Sequence, residues 1–137
     1  MSSIRPELSE KNEYYIERHR YYELKHFCLQ YPIWHKAYLS LDSLAKRPYD
    51  LMLFNTNNIS SPTERCAFAR EYYKNRMTII EKSCKQTDAI LGEYILKAVT
   101  EGCSYEILRT RYNIPCCKDT YYKLYRKFFW VLNKNRD

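Results

Sequence analysis

The chain has 137 residues, a net charge of +7, 15 tyrosines and six cysteines, but only two glycines. Two glycines are too few for the tight turns of a hairpin-rich β fold. No apolar run approaches the roughly 20 residues of a membrane span. We therefore predict an all-α helical bundle that does not enter a membrane, long enough to form a core without a metal or disulfide staple.

The first predicted helix begins at Ser9, a residue type that caps helices, and runs to about Gln30. Its apolar positions recur at helical spacing and form one stripe: Tyr14, Tyr21, Leu24, Cys28 and Tyr31. Such a stripe must be covered. Two covers are expected, a helix over residues 62–85 of the same chain or the stripe of a second copy in a homodimer.

Pro32 ends the first helix and can start a second, because proline suits the beginning of a helix. This second helix is short, over residues 33–41. From residue 45 to 60 the helical periodicity is lost, and residues 55–58 have turn composition. We therefore predict a loop here that separates a Tyr-rich helical region, residues 1–60, from a second region, residues 61–137.

A long helix is predicted from Pro62, with Ser61 as its cap and Glu64 completing a capping box. Apolar residues then recur every three or four positions: Cys66, Ala69, Tyr73, Met77, Ile80 and Cys84. Charged residues occupy the other face, so tertiary packing must stabilise this helix.

The last third of the chain contains a series of shorter elements. Asp88 can cap a helix, which Gly102 would end in the left-handed conformation. Ser104 caps a short helix over residues 105–112, and the chain breaks again at residues 113–115. The final helix carries an apolar stripe of Tyr121, Leu124, Tyr125, Phe128 and Leu132.

A short helix, a break and a longer basic helix form the plan of a helix-turn-helix. Residues 105–137 carry eight basic and three acidic side chains, which is +5 of the total charge of +7. Such an excess is the electrostatic signature of a phosphate-binding surface. We predict that Lys123, Arg126 and Lys127 contact DNA phosphates, and that Lys118 and Tyr122, nearer the helix start, contact base edges.

The same residues carry a resemblance to known families. The pattern begins with Glu-Gly-x-Ser-Tyr-Glu-x-Leu from Glu101. It continues with Ile114, Thr-Tyr-Tyr from Thr120 and Arg-Lys-Phe-Phe from Arg126. This pattern resembles phage late-operon transcriptional activators of the RinA and ArpU type. It also resembles the helix-turn-helix of sigma-factor region 4. The likeness covers about residues 88–134 and implies promoter-proximal DNA binding encoded by a prophage or another mobile element.

Two departures from that pattern concern the base-contacting positions. Arg109 stands where the families have a small residue, and Thr120 follows Ile114 by six positions, about two more than usual. The recognition helix therefore begins early, at Pro115, or the turn is longer.

No cofactor, metal or catalytic group is expected. The cysteines contain no CxxC pair, the three histidines share no metal-ligand spacing, and the sequence has no glycine-rich phosphate loop. Residues 1–11 lack the apolar stretch of a secretory signal. We therefore expect a cytoplasmic protein with reduced thiols and no intramolecular disulfide.

These observations predict a non-enzymatic, sequence-selective duplex-DNA-binding protein that regulates transcription, with RNA polymerase and a second copy as its further expected partners. The alternative is a protein-interaction module of a mobile element that binds a host or defence nucleoprotein complex through the Tyr-rich N-terminal region.

Overall fold

The computed structural model describes residues 12–45 and 62–136. Six helices make up its regular structure: α1 (Arg18–Leu29), α2 (Tyr31–Ala45), α3 (Pro62–Thr87), α4 (Gly92–Glu101), α5 (Tyr105–Tyr112) and α6 (Lys118–Arg136). No strand occurs among these residues, so the predicted all-α helical bundle is confirmed. None of the helices in this part of the chain is both long and apolar enough to cross a membrane.

The helices belong to two compact units. The larger unit contains α1, the end of α3 from Ile79, and α4, α5 and α6, whereas the smaller unit, residues 31–78, contains α2 and the first part of α3. The predicted division at residue 60, the loop before it and the Ser61 cap all lie outside the described residues and stay predictions.

Helix α1 begins later than its sequence pattern predicts. Residues 12–17 are not helical, and the helix starts at Arg18. The carboxylate of Glu17 accepts hydrogen bonds from the backbone N–H groups of His19 (2.8 Å) and Arg20 (3.1 Å), so Glu17 caps the helix. The prediction of helix over residues 12–17 is therefore wrong, and Ser9 lies outside the described residues.

The apolar stripe of α1 is covered within the larger unit. Tyr21, Leu24 and Cys28 are buried, and α1 packs mainly on α4 and α6. The ring of Tyr21 meets that of Phe129 edge to face, with centroids 5.0 Å apart. Helices α4 and α6 supply most of the cover that was expected from residues 62–85, and from that helix Cys84 interacts electrostatically with Cys28. A homodimer would need a surface other than these three buried side chains.

Helix α4 starts close to the end of α3. Asp88 Oδ1 accepts hydrogen bonds from the N–H groups of Ile90 and Leu91, just before the helix, which begins at Gly92. A Cβ atom at Gly92 would lie 2.8 Å from the carbonyl oxygen of Cys84. Glycine therefore lets the start of α4 approach the backbone of α3.

In the smaller unit, side chains join α2 to α3. Arg70 forms an ion pair with Asp42, with Nη2 2.7 Å from Oδ1. The thiol of Cys66 lies 3.4 Å from the carbonyl oxygen of Leu41. Four large apolar side chains on these two helices are exposed: Ile33, Leu39, Phe68 and Tyr72.

Candidate nucleic-acid interface

Helix α5 follows a corner at residues 102–104 and is joined to α6 by a turn at residues 113–117. Gly102 (φ 72°) and the Ser104 side chain, which accepts from the N–H of Ile107 at 3.3 Å, separate α4 from α5 as predicted. Asn113 adopts a left-handed conformation (φ 53°) at the end of α5. The hydroxyl of Tyr105 donates to the carbonyl oxygen of Cys116 (2.7 Å), which ties the turn to the start of α5.

The longer of the two predicted turns is present. Helix α6 begins at Lys118, not at Pro115, and the N–H of Tyr121 donates to the carbonyl oxygen of Cys117 (3.0 Å) in its first turn. Arg109, the other departure from the family pattern, is exposed on α5. Its size therefore does not disturb the packing of α5 on α4.

One face of α6 is buried in the larger unit. Tyr121, Phe128, Phe129 and Leu132 are each at most 2% exposed. Leu124, which the sequence places on this face, is half-buried, whereas Phe129 was not predicted. The spacing of Phe129 from Tyr121 and Leu132 is helical, so this signal was present in the sequence.

Two of the five predicted DNA-binding residues, Lys123 and Lys127, lie away from this buried face, and Arg126 lies at its border. Lys123 is exposed, and Arg126 and Lys127 are half-buried. At 3.6 residues per turn, Lys123 falls opposite Leu132, and Lys127 lies about 140° from Leu132 and about 100° from Phe128. None of the three cations forms an ion pair with another described residue, so their charge is available to a polyanion.

The other two predicted residues, Lys118 and Tyr122, lie on the side of α6 that faces α5. The Lys118 ammonium is 3.7 Å from Glu106 Oε1 on α5 and 5.7 Å from the centroid of the Tyr122 ring. The structure therefore places Lys123 and Lys127 on the side away from the buried face, Arg126 at its border, and Lys118 and Tyr122 near the turn.

Lys118 and Tyr122 line a groove of about 400 Å³ in the larger unit, between α1, the α4–α5 corner and α6. We call it the tyrosine groove, because five tyrosine rings contribute to its walls: Tyr21, Tyr105, Tyr121, Tyr122 and Tyr125. Burial raises the pKa of Tyr121 and Tyr125 above the usual range of a phenol, so both hydroxyls stay protonated. No local motif could have predicted this groove, since its walls come from distant parts of the sequence.

The turn before α6 also contains two adjacent thiols in different environments. Cys117 is exposed, and hydrogen bonds from the side chain and backbone of Thr120 lower the pKa of its thiol. Burial raises the pKa of the Cys116 thiol. Among residues 12–45 and 62–136, no group of three or more His, Cys, Asp or Glu side chains is arranged to hold a metal ion.

Helix α5 adds basic residues to the five predicted ones. Arg109 and Arg111 are both exposed on α5. Lys97 lies over the ring of Tyr112, 4.6 Å from its centroid. The helix pair α5–α6 thus presents cations on both of its members.

Comparison of the chain with protein-family models, with curated proteins and with solved structures gave no match. The fold and the candidate site define the protein as an all-α helical bundle whose C-terminal helix pair buries one side and carries exposed basic side chains on the other.

Proposed function

We propose that this protein binds duplex DNA sequence-selectively and regulates transcription for a phage or another mobile element, with α5, the turn and α6 acting as a helix-turn-helix. The observation that carries the proposal is the division of α6 into two faces. Tyr121, Phe128 and Leu132 fix one face in the core, while Lys123 and Lys127 project from the other. A recognition helix needs this arrangement, because it must stay on its scaffold while it enters the major groove.

The outward cations would supply affinity. Lys123, Arg126 and Lys127 would meet phosphate oxygens and release counterions, a contribution that does not depend on base sequence. Exposed Arg109 and Arg111 on α5 would add to the same field. The basic excess of residues 105–137, eight cations against three acids, supports this role.

Lys118 and Tyr122 would supply selectivity. They lie in the first two turns of α6, the part of a recognition helix that reaches base edges. A lysine there can donate to guanine acceptors, and a tyrosine hydroxyl can donate or accept. The partners of the proposed activity are duplex DNA and, as for the phage activators that the sequence resembles, RNA polymerase.

The test is a salt titration of binding to random-sequence duplex, comparing the parent chain with a Lys123→Ala/Arg126→Ala double variant. Each lost phosphate contact lowers the slope of log affinity against log salt by about 0.9, so we expect a slope lower by about two. A Lys74→Ala/Lys82→Ala variant is the control, since it loses the same charge from exposed positions on α3. A folded Lys123→Ala/Arg126→Ala variant that binds like the parent at every salt concentration would exclude α6 as the DNA-binding surface.

A second candidate, a protein-interaction module, is favoured by the smaller unit. Phe68 and Tyr72, one helical turn apart on α3, are 69% and 52% exposed. Adjacent exposed aromatic side chains are typical of protein contacts. If the chain shows no salt-dependent affinity for duplex DNA, this surface becomes the first to test, with Phe68→Ser/Tyr72→Ser as the variant.

A further inference from the structure

The tyrosine groove has the size and composition of a small-molecule site. Its volume of about 400 Å³ lies within the range of roughly 300–1,000 Å³ that is usual for ligand sites. The rings of Tyr105 and Tyr121 lie with centroids 5.5 Å apart, and the Tyr121 and Tyr122 centroids are also 5.5 Å apart. Tyr21, Tyr105 and Tyr121 are buried behind the wall of the groove, whereas Tyr122 and Tyr125 are half-buried and offer the aromatic surface on which a planar ring can stack.

Several of these rings are held in place before any ligand arrives. The hydroxyl of Tyr105 donates to the carbonyl oxygen of Cys116 (2.7 Å). The hydroxyls of Tyr21 and Tyr125 lie 3.1 Å apart and share a hydrogen bond. A ligand would therefore meet fixed walls and would lose little affinity to ordering them.

Two lysines from different helices and one carboxylate, Glu106, line the groove. Lys25, on α1, forms no ion pair with another described residue. Lys118, on α6, is 3.7 Å from Glu106, and the two side chains are 53% and 64% exposed. An ion pair this exposed contributes little, so a phosphate could replace Glu106 as the partner of Lys118.

We propose that the tyrosine groove binds a nucleotide, with its base against the half-buried rings of Tyr122 and Tyr125 and its phosphate between Lys25 and Lys118. Lys118 and Tyr122 also belong to the base-contacting pair of the proposed function. On that proposed function, a nucleotide in the groove would compete with duplex DNA for these two side chains. Two kinds of ligand carry this combination of base and phosphate: a free mononucleotide and an unpaired nucleotide within a strand.

Calorimetric titration of the full chain tests the binding directly, without duplex DNA. The probes are adenosine 5′-monophosphate, adenosine, ribose 5-phosphate and an octathymidylate single strand. We expect the monophosphate to bind at least about fivefold more tightly than adenosine, since adenosine lacks the charged group, a difference of ~1 kcal/mol. Ribose 5-phosphate, which lacks the base, should bind more weakly than the monophosphate for the complementary reason.

A matched pair of variants separates the groove from the duplex-binding surface. Lys25→Gln should weaken binding of the monophosphate about fivefold and leave duplex affinity unchanged. Lys123→Gln, with the same change of charge, should weaken duplex binding and leave the monophosphate unaffected. Lys118→Gln should weaken both. Thermal unfolding of each variant shows whether it is folded.

The outcomes distinguish the two proposals. If the monophosphate binds and depends on Lys25, the groove is a nucleotide site even when duplex binding is absent. If the octathymidylate binds and the monophosphate does not, and this binding depends on Lys25, then the ligand of the groove is an unpaired nucleotide within a strand. The groove proposal is overturned if neither probe saturates at millimolar concentration, if adenosine binds as tightly as its monophosphate, or if Lys25→Gln and Lys123→Gln weaken monophosphate binding equally.

Discussion

The phenolic oxygens of Tyr21 and Tyr125 lie 3.1 Å apart, although the two residues are 104 positions apart in the sequence. This hydrogen bond joins α1 to α6. On the same helix, Arg20 Nε donates to Asn133 Oδ1 (2.6 Å). Before the helix, Tyr14 packs edge to face on Trp130 with centroids 5.5 Å apart. The N-terminal helix is therefore part of the support that holds the proposed recognition helix.

Removal of either hydroxyl of that pair should reduce stability. We expect Tyr21→Phe and Tyr125→Phe each to lower the free energy of unfolding by about 1 kcal/mol, the typical net value of a protein hydrogen bond. The double variant should lose less than the sum of the two, because both changes remove the same interaction. Urea denaturation measures all three, with Tyr22→Phe on the exposed side of α1 as the control. Strict additivity would show that the two hydroxyls do not interact in solution.

Lys118 and Tyr122 should affect the choice of DNA sequence more than the strength of binding. Selection of duplexes from a random pool by the parent chain gives a preferred sequence. Lys118→Ala or Tyr122→Ala should then reduce the preference at one position, at a cost of about 1–3 kcal/mol for the preferred base, while affinity for random duplex changes less. Lys127→Ala is the matched control and should weaken binding to all sequences alike. A Lys118→Ala variant that keeps the parent's sequence preference would remove this residue from base recognition.

The buried face of α6 should be sensitive to truncation. Phe128 is 0% exposed, and loss of a buried phenylalanine side chain costs about 3–5 kcal/mol. Phe128→Ala should therefore lower the unfolding midpoint in urea sharply. Phe68→Ala, at a position 69% exposed, should change stability by less than about 0.5 kcal/mol. Equal losses at the two positions would contradict the burial of this face.

The corner between α4 and α5 should require a residue that tolerates the left-handed conformation. Gly102 has φ 72°, and a Cβ atom there would meet no atom within 4 Å, so backbone strain alone opposes a side chain. Gly102→Ala should cost about 1 kcal/mol, and Gly102→Asn should cost less because asparagine adopts this conformation more readily. Thermal unfolding of both variants measures the difference. A larger loss for asparagine would indicate crowding instead of strain.

Ionisation of the Cys84 thiol should contribute to a loss of folding stability in alkaline solution. Burial, with a smaller contribution from Glu81, raises the pKa of this thiol from 9.0 to about 12. The unfolded chain loses the proton from pH 9 upward while the folded chain keeps it. The protonated Cys84 thiol therefore contributes fully to the free energy of unfolding below pH 9. This contribution falls by about 1.4 kcal/mol per pH unit between pH 9 and 12.

Comparison with a Cys84→Ala variant isolates this effect from other groups. Urea denaturation under reducing conditions should find the parent chain more stable at pH 7, with its advantage shrinking at pH 10 and 11. A difference between the two proteins that stays constant from pH 7 to 11 would show that Cys84 ionises equally in the folded and unfolded chains.

The sequence by itself determined the elements whose cause is local. Gly102, the Ser104 cap and the break at Asn113 appear where predicted, because turn and cap conformations depend on the few residues that form them. The long helix from Pro62 and the buried positions Cys66, Met77, Ile80 and Cys84 follow from helical periodicity, which needs no knowledge of the partner.

Tertiary structure alone decided which surfaces meet. Periodicity shows that the face of Tyr21 and Leu24 must be covered, but the choice of α4 and α6 as its cover depends on the packing of distant segments. Helical spacing already places Lys118 and Lys123 on different sides of α6, but only the packed structure shows that Lys118 lies beside Glu106 in the tyrosine groove. The place of Lys118 in the groove depends on how α1, the α4–α5 corner and α6 pack together, which is not encoded in the residues of one helix.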